Sequence, residues 1–360
     1  MKSKLLLASG FLGSLLLIAC FAGCGGSSGG TENVIDNDES TPQIGVGPKV
    51  LSTSPSHDEI DVKINRLITA KFEQAIDPAT MSSETFLIRE DETGLTVPGT
   101  VDYDEPSKTA IFQGDTDFST NTSYTATITE DVADEAGNQM GKDYSWQFET
   151  GVDRDTTSPQ VAFTYPERNA TDVSLNTAIS VTFDEHINPI TINNLNFTLE
   201  EVGGIVSGAL TLNGTTALFT PDENLLDNTE YTVTLTSDIE DLAGNSFSGD
   251  SWSFTTGSGQ DTEPPQVEPD SVSPQDGATD VPLDASIVIT YSEPIKPFEF
   301  GLIDGRPVTV TFNKDYTIAT LTPTVPFLPG KLYTASVRSE DLAGNRMDEA
   351  FIWEFSTIDQ

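Results

Sequence analysis

The chain is short of cysteine, of histidine and of positive charge. Of 360 residues two are Cys and two are His, and 17 Lys and Arg stand against 57 Asp and Glu, for a formal net charge of -40. Each shortage excludes something. Both cysteines, Cys20 and Cys24, lie near the N-terminus, so the rest of the chain can carry neither a disulfide framework nor a thiol nucleophile. His57 and His186 are too isolated in sequence for a local Ser-His-Asp set or a His-based zinc site, and both read as surface residues. The acidic excess repels phosphate backbones and attracts cations, which argues against nucleic acid as a partner. No phosphate-cradling loop is present, because GGSSGG at 25–30 lacks the strand and helix such a loop needs. No segment sustains a helical period either.

What is present begins with the most legible segment. Lys2 and Lys4 precede an apolar run, LLLASGFLGSLLLIACFAGC at 5–24, which has the basic start, apolar middle and small residues of an export signal. A membrane-spanning anchor competes with it on length. The stretches LIAC and FAGC, each ending on a Cys, resemble the bacterial lipoprotein signal, in which that Cys becomes the lipidated first residue. GGSSGG follows Cys24 at once, a flexible tether of the kind such proteins carry, so Cys24 is the expected attachment residue and Cys20 the alternative. The resemblance implies several acyl chains, enough for stable anchoring, and, with no Asp after either Cys, an outer-membrane or cell-surface location. Residues 1–23 are thus expected to be a signal peptide and 24–47 a Gly/Ser/acidic tether without fixed structure.

The length suits two to three domains, and the remainder is an internal repeat. Each unit opens on a turn leading to Val: SPSHDEIDV, YPERNATDV and SPQDGATDV. Next comes an alternating stretch, ITAKF, ISVTF or IVITY, and later a Tyr-opened one, YTATI, YTVTL or YTASV. Then follow DEAGN at 134–138 and DLAGN at 241–245 and 341–345, and finally WQFET, WSFTT and WEFST. The period-two alternation and β-branched density predict half-buried strands. About a hundred residues with about seven short strands is the size of an immunoglobulin-like sandwich, with Trp and Phe of the last strand filling the core. The Tyr is placed like a tyrosine corner.

The order of these motifs closely resembles the SbsA-type bacterial Ig-like domain, over 48–151, 157–257 and 264–358. The resemblance implies an all-β fold of three tandem Greek-key sandwiches, exported and attached to a bacterial surface. The third unit departs most, being shorter between Tyr333 and its DLAGN and richer in Pro within EPIKPFEFGLIDGRP, which leaves its central strands open.

No catalytic constellation emerges, and the chain is expected not to be an enzyme. Asp184 and Glu185 are adjacent, hence on opposite strand faces, and make a poor glycosidase pair, with Glu73 and Glu293 in equivalent turns. Phe298 and Phe300 read as packing residues of an irregular strand, with a sugar- or partner-facing role as the alternative, and the Asn-x-Ser/Thr triplets at Asn121, Asn169, Asn196 and Asn213 mean little in a bacterial lipoprotein. Cations are the better question. GVDRDTTSPQV and GSGQDTEPPQV place Asp153, Asp155, Asp261 and Glu263 just before a Pro that starts the next domain. Calcium takes its oxygens from carboxylates and carbonyls, and a seam between sandwiches can supply them from both sides, with a solvated acidic linker as the alternative reading of the same residues. The D-x-A-G-N phrase reads foremost as a turn: Asp accepts a backbone N–H, Gly supplies positive φ, and Asn tolerates the left-handed region. Beyond that, Asp134 or Asp241 is expected to reach a cation at the seam with the following domain, a role closed to Asp341, which has none. The functional expectation is a non-catalytic spacer, adhesion or protein-binding module at the envelope, meeting the membrane through its lipid and an envelope protein or glycan as partner. The alternative is an accessory carbohydrate-binding or hydrolase-associated module; a filament protein would carry more, and more uniform, repeats.

Overall fold

Strands form where apolar and polar residues alternate, because one face can then be buried while the other stays wet. The computed structural model describes residues 47–297, 300–303 and 306–359. The expected signal segment, Cys20, Cys24, the tether before residue 47 and Phe298 lie outside them. In domain 1 the strands are β1 (Val50–Ser54), β2 (Glu59–Val62), β3 (Ile68–Phe72), β4 (Phe86–Glu90), β5 (Gly99–Asp104), β6 (Thr109–Gly114), β7 (Ser123–Ile128) and β8 (Tyr144–Thr150). They make two sheets, ordered β1-β3-β6-β5 and β2-β8-β7-β4. The opening turn carries the chain from one sheet to the other, so β1 pairs antiparallel with β3 whereas β2 runs parallel to β8.

Domain 2 repeats the plan with β9 (Val161–Tyr165), β10 (Ile179–Phe183), β11 (Phe197–Glu201), β12 (Gly204–Ile205), β13 (Gly208–Asn213), β14 (Thr216–Pro221), β15 (Glu230–Leu235) and β16 (Asp250–Thr255). Its sheets are β13-β14-β10-β9 and β12-β11-β15-β16. Each core closes over the predicted aromatics. Tyr124 stacks on Phe148 at 5.6 Å, Tyr231 on Phe254 at 5.7 Å and, in domain 3, Tyr333 on Phe355 at 5.7 Å. Trp146, Trp252 and Trp353 are buried beside them. The tyrosine corner is present three times: the Tyr124, Tyr231 and Tyr333 hydroxyls accept the backbone N–H of Ser119, Leu226 and Leu328 at 2.9, 2.7 and 2.7 Å. Gly208 is required by packing, since a Cβ there would lie 2.5 Å from the Phe219 ring and 2.5 Å from the Thr220 carbonyl oxygen. At the matching register of domain 3, Val308 opposite Pro323, the neighbouring ring is replaced by Leu321.

Domain 3 comprises β17 (Ala278–Val281), β18 (Ile287–Thr290), β19 (Phe300–Ile303), β20 (Arg306–Phe312), β21 (Ile318–Pro323), β22 (Leu332–Val337) and β23 (Phe351–Thr357). Here the central strands, left open by the sequence, take a different pairing. In domains 1 and 2 the strand after the first hairpin side, β4 or β11, pairs with the Tyr-opened β7 or β15. In domain 3, β19 pairs with β20 in the other sheet, ordered β18-β21-β20-β19, while the second sheet reads β17-β23-β22. The turn leading to that strand has lost its cap. Asp77 and Asn188 accept the N–H of Ala79 and Ile190, opening short 3₁₀ turns at Pro78 and Pro189. The corresponding residue before Pro297 is Lys296, whose ammonium can donate but not accept.

Candidate functional site

The D-x-A-G-N phrase builds the same turn three times. The Asp241 carboxylate accepts the N–H of Ala243 at 2.7 Å and of Asn245 at 2.9 Å, and the Asn245 side-chain amide donates to it at 2.8 Å. Asp134 and Asp341 accept the equivalent bonds. Gly137, Gly244 and Gly344 have φ of 82°, 83° and 91°, as a turn glycine should. The Asn contributes otherwise than expected. It is absent from the positive-φ residues, and its amide instead ties down the Asp.

In domains 2 and 3 this turn docks on the preceding domain. The Leu67 N–H donates to the Leu242 carbonyl at 2.6 Å, and Ala178 to Leu342 at 2.6 Å. Leu242 is buried against Leu67 and Ile111 of domain 1, and Leu342 against Ala178 and Leu218 of domain 2. Beside each contact an Asn acts as a clamp. The Asn65 amide donates to the carbonyls of Asp155 (3.0 Å) and Ala243 (3.3 Å), and its oxygen accepts the Asp155 N–H at 2.8 Å. Asn176 does the same with Asp261 (2.8 Å), Ala343 (3.1 Å) and the Asp261 N–H (2.9 Å).

These clamps gather carboxylates. Asp155 from the linker, Glu185 from the turn after β10 and Asp241 each offer an oxygen within 4.8 Å of the others. Asp261, Glu293 and Asp341 form the same triad one domain on, also within 4.8 Å. Asp241 and Asp341 are buried, while the other four acids are half-buried. Burial, then the Asp241, Asp155 and Asp184 carboxylates, push Glu185 up to about 7, against the pull of Arg66. Burial, then Asp261 and Asp341, push Glu293 up to about 7 as well. Burial also raises Asp341. Like charges this close cannot all ionise cheaply, so each triad favours either a proton or a cation in its midst. Three carboxylates offer up to about six hard oxygens, a donor set that fits calcium rather than a thiolate- or imidazole-seeking metal.

The seams mark where one unit of the chain ends and the next begins, and a family model for the bacterial Ig-like domain matches three times at that spacing, at 45–150, 155–256 and 261–357. The chain belongs to the bacterial Ig-like domain family. No curated protein matches it in sequence. Among solved structures, the S-layer protein SbsC is 11% identical, with 87% of this chain and 54% of that one covered at a TM-score of 0.26. A second SbsC structure, of domains 1-6, is 12% identical over 88% and 55% at 0.26. The human desmocollin-1 ectodomain is 11% identical over 87% and 59% at 0.19. This chain spans about half the length of the SbsC structures, 54% and 55%. Scores and identities this low say nothing of what it binds.

Of the acids the sequence singles out, Asp155 and Asp241 meet at the first seam and Asp261 enters the triad at the second, whereas Asp153, Glu263 and Asp134 join neither. Asp153 faces Lys63 at 3.9 Å and is mostly exposed. Glu263 is exposed on the linker, its N–H donating to Asp261. Asp134 is met by Gln74 at 2.9 Å, and its hydrogen bonds, those from Asn138 first, hold it below the usual carboxylate range. Two expectations about direction are corrected. The turns of domains 2 and 3 face the preceding domain, so Asp241 sits at the first seam. Asp341, expected to have no such role, sits at the second. Glu185, a poor glycosidase partner for Asp184 in sequence, and Glu293 in the equivalent turn complete the triads. The repeat itself distinguishes the linker Asp, the Glu and the buried Leu: the matching positions in domain 1 are Ile44, Gln74 and, for Leu242 and Leu342, Glu135, whereas the turn Asp is common to all three units. The first Ig-like domain lacks the seam residues together. Two shallow hollows, of about 290 Å³ beside Phe197 and Ile205 and about 350 Å³ beside Phe351 and Trp353, share no residue with the triads.

Proposed function

We propose that this chain is a non-catalytic arm at the bacterial cell envelope, whose Ig-like domains are held in register by divalent cations, calcium foremost, at their seams. The observation that carries this reading is the recurrence of the acidic triad at both seams, with Gln74 at the matching position of domain 1. Tandem Ig-like domains of this family fit a surface or extracellular module. Among the described residues no helix is long and apolar enough to cross a membrane. Attachment is proposed at Cys24, with Cys20 as the alternative, on the lipoprotein-like stretch that surrounds them. In this reading the arm presents an adhesion or protein-binding surface at a reach set by seam stiffness. The high acidity keeps it soluble and concentrates cations near it.

Calorimetric titration of the purified chain with calcium tests the site. Binding at two equivalents, lost in Glu185→Gln/Glu293→Gln, is expected; no heat and no change in scattering dimensions between chelator and calcium would overturn it. Labelling cells with a radioactive fatty acid tests the anchor, which should vanish in Cys24→Ser or, failing that, in Cys20→Ser.

A further inference from the structure

The two seams share one plan but differ in a way the sequence repeat conceals. At each, the hairpin ahead of the last core strand of one sheet lies along the outer face of the preceding domain. At the first seam this hairpin is the tight Gly214–Thr215 turn, and Asn213 beside it meets Lys71 of β3. The apolar contact there is the small cluster of Leu67, Ile111 and Leu242.

At the second seam the hairpin is longer and carries Tyr316 at the place of Gly214. The equivalence is visible in the backbone: the Ile187 N–H donates to the Gly214 carbonyl, and the Ile295 N–H to the Tyr316 carbonyl. Both residues hold a left-handed φ, 56° for Gly214 and 55° for Tyr316. Glycine is at ease there, whereas a bulky aromatic is an outlier that surrounding contacts must compensate. Those contacts lie in the neighbouring domain. The Tyr316 hydroxyl bonds with Ser180 at 2.5 Å and Thr182 at 2.7 Å, both on the outward face of β10, where a lone sandwich would leave them wet. Its ring is 1% exposed and stands edge-on to Phe163 at 5.5 Å. Tyr316 joins Ala178, Leu218 and Leu342 in one cluster, with Phe163, Tyr165 and Phe312 packed on it. Lys314 of the same hairpin reaches Glu167 at 3.3 Å.

We infer that the seams are mechanically unequal: Tyr316 plugs domain 3 into domain 2 so that they move as one body, while domain 1 pivots about the linker at Gly151–Asp155. Domain motion is the default unless an interface is substantial and apolar, and among the described residues only the second seam buries an aromatic. The inference does not depend on a cation, because the acidic triad is common to both seams.

The test uses the full chain with Cys20 and Cys24 replaced by Ser, kept in chelator throughout. Spin labels at Ile60→Cys, Val202→Cys and Val325→Cys, all exposed positions, give one pair across each seam with a shared label in domain 2. The distance distribution should be at least about twice as wide across the first seam as across the second. Tyr316→Gly relieves the backbone and removes the plug, so it should widen the second distribution toward the first. Thr182→Lys, which copies Lys71 from the other side of the joint, should do the same without touching domain 3. Equal widths in the parent chain, or an unchanged second distribution in both variants, would overturn the inference.

Discussion

Replacing Glu185 and Glu293 by Gln gives both seams the residue domain 1 already carries as Gln74. In the docked seam each Glu is pushed from 4.5 to about 7, burial first and the neighbouring Asp carboxylates after it. A shift of that size would correspond to about 3 kcal/mol for a fully buried group. Both side chains keep substantial solvent contact, and screening brings the figure to about 1–2 kcal/mol per seam. The sign follows from proton counting. Between 4.5 and about 7 the docked seam binds more protons than the separated domains, so docking weakens as pH rises through that window. Below it the penalty is absent; above it the penalty is complete. In chelator at pH 8 the double variant should therefore be the more stable protein, with melting raised by about 4–8 °C per kcal/mol for domains of this size. At pH 4.5 the two proteins should nearly coincide. Calcium should reverse the order at pH 8, since a ligand at a hundred times its Kd stabilises its site by about 2.7 kcal/mol and the variant has lost a ligand at each. Scanning calorimetry at both pH values, with chelator or calcium, reads all of this. A variant that melts no higher than the parent in chelator at pH 8 would refute the electrostatic argument.

Leu242→Glu, which copies Glu135, should cost the first seam about 1.5–3 kcal/mol of buried apolar contact and let domain 1 separate, seen as a larger scattering dimension with the three domains still folded. Tyr231→Phe keeps the stacked ring and orphans the Leu226 N–H, so domain 2 should lose about 1–2 kcal/mol in urea unfolding. Gly208→Ala drives a methyl into the Phe219 ring and should cost about 1–3 kcal/mol, with Phe219→Leu in the same chain recovering part of it, measured by thermal denaturation.

Most of the fold was legible because its determinants are local. Period-two alternation in ITAKF, ISVTF and IVITY specifies which side of each strand is dry, and the Tyr and Trp-x-Phe positions specify what fills the interior. The D-x-A-G-N turn needs only its own five residues, and Asp, Gly and Asn close it without help. The third domain shows where local reading ends. Lys296 in place of Asp77 or Asn188 is a visible change, but that β19 joins the other sheet is decided by competition between two long-range pairings.

The candidate site belongs mostly to that second kind. The sequence by itself determined three Ig-like units and an acidic residue before each later unit. It even recorded, in Glu135 against Leu242 and Leu342, which turns would be buried. Only the tertiary structure decided that those turns point backwards and that Glu185 and Glu293 meet an Asp from the linker and an Asp from the turn. It alone decided that one aromatic, Tyr316, would distinguish the two joints. Strand periodicity is a property of neighbours along the chain, whereas a seam is made by residues tens of positions apart whose approach is set by how two finished sandwiches dock.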